Sequence, residues 1–185
     1  MEVEHVSVPL PPRMDNATML EYTARSMTGD LAELTRIIRD IRIALLTTVG
    51  REGQFHTRPV QTLKVEADAT LWFFTDWTSP KVTELHQDVR VSLGYADLAK
   101  NVYVALSGEG SLVRDPQKAK ELWSIEQRAY YPKGPDDERL ALLRVAILHA
   151  EYWIAPGRTS YIIAAARAGV TGIPAGVIGE EHKVK

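Results

Sequence analysis

Residues 43 to 113 carry five short runs rich in β-branched and aromatic residues, and only one break between them is long enough for a helix. Ile43 to Val49 reads as the first strand. Gly50-Arg51-Glu52-Gly53 turns the chain into a second strand over 54–65, so the two should form a hairpin. Ala67-Asp68-Ala69 turns it again into an aromatic strand at 70–76, and further strands are predicted near 90–96 and 102–113. Short strands with turn signals favour an antiparallel β-barrel with peripheral helices, and strand count alone leaves a sandwich open.

Helices are expected around this framework. Leu31, Leu34, Ile37, Ile38 and Ile41 form an apolar stripe over roughly 30–40, and Asp30 with Glu33 resembles a capping box. Asp115-Pro116 opens a second helix with Ala119, Leu122 and Trp123 inward. Residues 129–138 read as a loop, 140–155 as one or two strands, and Ser160 to Ala168 as a short alanine-rich helix. Residues 1–27, with Pro9, Pro11 and Pro12, read as a loose N-terminal arm. A single domain over 28–175 and a frayed tail over 176–185 complete the expectation.

One stretch points to a ligand. Trp72-Phe73-Phe74-Thr75-Asp76 is a strand that runs almost directly into Ser79-Pro80-Lys81. Serine suits the N-cap and proline the first helical position, so a helix should begin there, with Val82, Leu85 and Val89 at helical spacing. The first N–H groups of a helix lack internal partners and favour an anion, and Lys81 adds a full charge in the same turn. Aromatic surface beside such a cradle suits a flat, phosphorylated ligand. In the preceding strand, simple alternation puts His56, Arg58, Val60, Thr62 and Lys64 on one face. Arg58 is the strongest phosphate candidate there, because its planar fork can bond two oxygens at once. Pro59 cannot donate a ladder hydrogen bond and marks an edge or a bulge.

Other chemistries find little support. The chain has no cysteine, which excludes disulfides, thiolate metal sites and cysteine nucleophiles. His56, His86 and His149 are scattered, and no metal site is expected. Gly-x-Ser-x-Gly, GxGxxG and Walker motifs are absent; the glycines of Ser107-Gly108-Glu109-Gly110 instead mark a bulge or a close backbone approach. Twenty-two basic against 24 acidic residues leave a net charge of −2, with no electrostatic footprint for nucleic acid. No apolar run is long enough to span a membrane, and Met1-Glu2-Val3-Glu4-His5 lacks a signal-peptide pattern, so a cytoplasmic protein is expected.

Taken in order, Thr57-Arg58-Pro59-Val60, Lys64, Phe73-Phe74-Thr75-Asp76 and Ser79-Pro80-Lys81 resemble the flavin-binding signature of the pyridoxamine 5′-phosphate oxidase-like split barrels. The general stress protein branch is the nearest likeness. It continues through Val91-Ser92-Leu93-Gly94-Tyr95, Tyr103 to Gly108 and Glu151-Tyr152-Trp153. The resemblance implies a Greek-key split β-barrel and a homodimer with two FMN sites at its interface. It implies that Arg58 and Lys81 pair with the phosphate, that Ser79 adds a hydroxyl or cap contact, and that Val60, Phe74 and Thr75 line the flavin pocket. It places Lys64 and Asn101 near the flavin, and Trp153 close to it from across the dimer. Two departures stand out. Pro80 occupies a position where the vitamin oxidases carry arginine, and Trp153 is not followed by their Arg-x-His substrate motif. Pyridoxal-phosphate synthesis is therefore not expected. The implied activity is a flavin-dependent oxidoreductase without an assigned catalytic residue. The alternatives are a non-catalytic flavin-binding or stress-sensing module, and a related split barrel using haem or a deazaflavin.

Overall fold

A computed structural model describes residues 31–154 and 180–184. The first described element, α1 (31–41), seats Leu34, Ile37 and Ile38 fully in the core, with Leu31 and Ile41 packed at its margin. Arg42 follows with φ +62°, a left-handed residue that ends the helix, and its N–H still reaches the Ile38 carbonyl at 2.8 Å. Asp30, the predicted capping partner, lies outside the described residues, as do the N-terminal arm and the alanine-rich helix expected at 160–168.

The strands are β1 (Ile43–Val49), β2 (Phe55–Val65), β3 (Thr70–Asp76), β4 (Arg90–Asp97), β5 (Val102–Val113), β6 (Leu140–Ile154) and β7 (Glu180–Val184). They pair antiparallel in the order β3-β2-β1-β4-β5-β6-β7, and β3 also pairs with β6. That last pairing closes six strands into a barrel. Strand β4 returns to lie beside β1 after the β1-β2-β3 meander, which is the Greek-key connection. The long link from β3 to β4 carries α2 (Pro80–Gln87), and α3 (Pro116–Leu122) lies between β5 and β6. No helix among the described residues is long and apolar enough to cross a membrane.

Period-2 alternation produces the inside of the barrel. Ala44, Leu46 and Thr48 of β1 are buried, while Ile43 and Leu45 face out. Strand β5 alternates in the same way, from Val102 through Val104 and Leu106 to Gly108 and Gly110. The two glycines are there for closeness. A Cβ on Gly108 would lie 2.1 Å from the Ala146 carbonyl oxygen, at a register shift between β5 and β6. A Cβ on Gly110 would meet Leu85 of α2 at 2.8 Å. Strand β6 is one continuous element whose first half pairs with β3 and whose last five residues pair with β7. Residues 180–184, expected as a frayed tail, form β7 along the last five residues of β6.

Two local features reposition side chains relative to plain alternation. The β2–β3 register shifts between Thr62 and Lys64. Thr62 and Val65 both point into the barrel as a result, and Lys64 turns outward beside Trp72. In α2 the backbone carbonyl of Ser79 accepts from Val82 N–H at 3.0 Å, yet the Ser79 hydroxyl makes no capping bond. Val82 and Leu85 are buried as expected, whereas Val89 lies beyond the helix end and is exposed.

Candidate functional site

Only three residues separate the end of β3 from the start of α2, so Thr75, Ser79 and Lys81 converge. Lys81 donates from Nζ to Thr75 Oγ1 and to Ser79 Oγ, both at 3.0 Å. The hydroxyl that does not cap the helix is therefore used to hold the lysine. Thr75 is buried and Lys81 half-buried. Burial first, and then the nearby Arg58 charge, hold the Lys81 ammonium below its ordinary value of 10.5. Asp76 and Glu84 act on this half-buried cation only at a distance, while Arg58 repels it and its direct bonds go to hydroxyls, so its ammonium is incompletely paired. It is complementary to an anion.

Arg58 stands behind this group on β2. Its guanidinium donates to the Thr48 hydroxyl and, at 2.9 Å, to Glu84 Oε2. Glu84 lies on α2 and is itself buried. Thr48 donates to the same oxygen, and His56 Nδ1 donates to Oε1 at 2.6 Å. Burial alone would raise the Glu84 carboxyl, but the three hydrogen bonds and the Arg58 charge outweigh it and hold the group below its ordinary 4.5.

Beside the lysine opens a cavity of ≈ 390 Å³, within the range of small-molecule sites. Pro59, Val60 and Leu63 of β2 form one wall, and Phe74, Thr75 and Lys81 another. The remaining wall comes from the chain after α3, as Gln127, Tyr130 and Tyr131. Phe74 is held by Trp123, with ring centroids 5.9 Å apart, and by an edge-on Tyr131 at 6.1 Å. Burial pushes the Tyr131 hydroxyl up to about 12, so it stays neutral. Gln127 is buried and donates from Nε2 to Gln61 Oε1 at 3.2 Å, which ties this wall to β2. The cavity thus has one end lined by the Lys81 ammonium, the Thr75 hydroxyl and the Asp76 carboxylate, and sides of aromatic and aliphatic residues crossed by the Gln61–Gln127 pair.

Residues 29–174 match the family described as pyridoxamine 5′-phosphate oxidase like. The chain belongs to this family. Solved structures agree in fold. The general stress FMN/FAD binding protein of Xanthomonas citri is 26% identical, with a TM-score of 0.60 over 72% of this chain and 92% of that one. A protein from Clostridium acetobutylicum related to general stress protein 26 is 22% identical, with a TM-score of 0.61 over 69% and 89%. General stress protein 26 of Bacillus anthracis is 21% identical, with a TM-score of 0.59 over 65% and 91%. No curated protein sequence matches the chain.

Of the family signature positions read from the sequence, Val60, Phe74, Thr75 and Lys81 line the cavity, and Ser79 bonds to Lys81. Arg58 adjoins that end without lining the cavity. Lys64 is elsewhere. The β2 bulge places it on the outer surface, where it bonds Glu121 at 2.5 Å. The reading that put it on the Arg58 face is corrected by that extra residue. Asn101, with φ +54°, sits in the β4–β5 turn, and Trp153 pairs opposite Tyr103 on β6. Neither lines the cavity of its own chain.

Sequence reasoning passed over Glu84 and the Gln61–Gln127 pair, and read Tyr130 and Tyr131 only as loop. A signal for Glu84 was present: it lies three residues after Lys81, on the same helical face, and next to the buried Leu85. The turn after α3 gave no comparable signal, because its wall is assembled from residues with no regular period.

Proposed function

We propose that this family member binds FMN in the cavity beside Lys81. The carrying observation is the half-buried Lys81 ammonium, bonded to two hydroxyls beside Arg58. Lys81, Ser79 and Thr75 would hold the phosphate, with Arg58 adding charge. Val60 and Phe74 would flank the isoalloxazine. The FMN/FAD-binding description of the Xanthomonas citri protein supports the flavin class. When bound, the flavin would supply electron or hydride transfer, and we place the protein as a cytoplasmic flavin-dependent oxidoreductase of the general stress type. The chain's part is to bind and orient the ring, exclude water from its buried edge and keep Tyr131 neutral against Phe74.

The outer barrel face supports a homodimer. Leu45 is 54% exposed and stands between Pro59 of β2 and Gly94 of β4, and Gly94 is opposite Ala105 of β5. These four positions carry no charge, and the row reaches its first one at Glu151, opposite Ala105 on β6. Ile43 and Pro59 belong to both this face and the cavity lining, so a second copy seated here would close the cavity's open side. Asn101 and Trp153 would then approach the partner's flavin. The visible spectrum of the protein after adding FMN, with light scattering in parallel, tests both parts. Stoichiometric flavin uptake by a dimer is expected; uptake by a monomer would remove the shared site. Steady-state oxidation of a reduced nicotinamide by the loaded protein separates an oxidoreductase from a module that only holds flavin.

A further inference from the structure

Glu84 is 7% exposed and sits between Val82 and Leu85, two buried apolar residues of α2. Burying a carboxylate is expensive, and a buried ion pair is weak evidence of stability. An apolar side chain would fill the position at less desolvation cost. What the carboxylate provides is direction. Both oxygens are occupied: Oε1 by His56, and Oε2 by Thr48 and Arg58. The half-exposed His56 ring lies against Gly50, where a Cβ would stand 2.7 Å from Cε1. The carboxylate is thereby fixed from β1, from β2 and from its own helix.

The consequence falls on Arg58. An arginine on a strand has a long flexible stem, and a free one would sample many directions. Here two of its N–H groups are committed to Thr48 and Glu84, which leaves three of the five for a ligand. The groups facing the cluster are Thr48 from β1, His56 and Arg58 from β2, and Lys81 from α2, which feels both the Arg58 and Glu84 charges. We propose that Glu84 is a positioning residue for phosphate recognition, holding the Arg58 guanidinium so that its remaining donors face the Lys81 end of the cavity. The proposal rests on the FMN reading above. It assigns Glu84 no contact with the ligand.

FMN and riboflavin affinities, measured by flavin fluorescence titration, test it in four proteins: wild type, Glu84→Gln, Arg58→Gln and the double variant. Glu84→Gln is expected to weaken FMN by about tenfold, the loss of part of one charge-assisted contact, and to leave riboflavin within about twofold. In the Arg58→Gln background the same change should have no further effect on FMN, because a residue acting only through Arg58 has nothing left to orient. Glu84→Asp keeps the charge but withdraws the carboxylate, and should also weaken FMN selectively; it serves if the glutamine variant does not fold. Unchanged or tighter FMN binding in Glu84→Gln would overturn the proposal, as would equal loss of both ligands or additive losses in the double variant. A wild type that binds riboflavin as well as FMN would instead remove the phosphate reading, and the proposal with it.

Discussion

Lys81 and Lys64 are both lysines next to the same two strands, yet their surroundings are opposite. Lys64 lies on the outer surface in a network with Glu66, Glu121 and Lys118, where Lys118 bonds Glu66 at 2.7 Å. Each cation there meets a carboxylate. The hydrogen bond to Glu66 leads the causes that raise Lys118 above its ordinary value. Lys81 bonds directly only to hydroxyls, feels Asp76 and Glu84 without bonding either, and is lowered, first by burial and then by Arg58. A basic residue becomes an anion site when its charge is not already spent on a neighbouring acid. The sequence gives both lysines the same formal charge; only their partners distinguish them.

The largest test of this contrast is Lys81→Ala. It removes a charge-assisted contact of ~1.5–3 kcal/mol, so FMN affinity should fall about 10- to 100-fold while riboflavin affinity stays nearly constant. Equal losses for the two ligands would mean that Lys81 shapes the ring pocket and does not meet the phosphate.

A smaller and graded effect comes from pH. In the free folded protein Lys81 loses its proton below 10.5, while in the unfolded chain it does so near 10.5. Between those points the unfolded chain binds more protons, so this lysine makes the free protein more stable as pH rises through that window. FMN binding runs the other way and should weaken as the ammonium is lost. Lys81→Arg keeps the charge and should abolish the alkaline fall. Titrations of flavin binding across the alkaline range, with thermal unfolding of the free protein, check both signs. On the acid side Glu84 behaves in the usual carboxylate sense. Its contribution is present above 4.5 and lost as pH falls through its lower folded value.

The smallest effect should come from Lys64→Ala. Exposed ion pairs contribute little, so flavin affinity is expected to stay within about twofold and the melting temperature to move only slightly. A large selective loss of FMN binding would return Lys64 to the site and break the comparison.

Much of the barrel was legible beforehand. Strands β1, β3 and β5 were read with the limits they have, because apolar alternation and turn residues mark their ends. The α1 stripe and the Asp115 start of α3 were equally plain; Asp115 does accept a hydrogen bond from Lys118 N–H. The candidate site was partly legible, since Thr75, Ser79 and Lys81 are near neighbours in the chain. The β2 bulge was not, because nothing in Thr62-Leu63-Lys64 announces an extra residue; the mismatch exists only once β3 is alongside. Glu84 was missed for a related reason. Its importance comes from β1 and β2 residues 26 to 36 positions away.

The sequence by itself determined the local elements: alternation chose the strands, caps and helical spacing chose the helices, and a short β3–α2 link brought a lysine to two hydroxyls. Tertiary structure decided which charges are spent and which remain. The bulge in β2 and the packing of α2 on β1 set the partners of Arg58, Lys64 and Lys81. Those pairings depend on distances between remote segments, and a one-residue shift in register turns a side chain from one environment to the other.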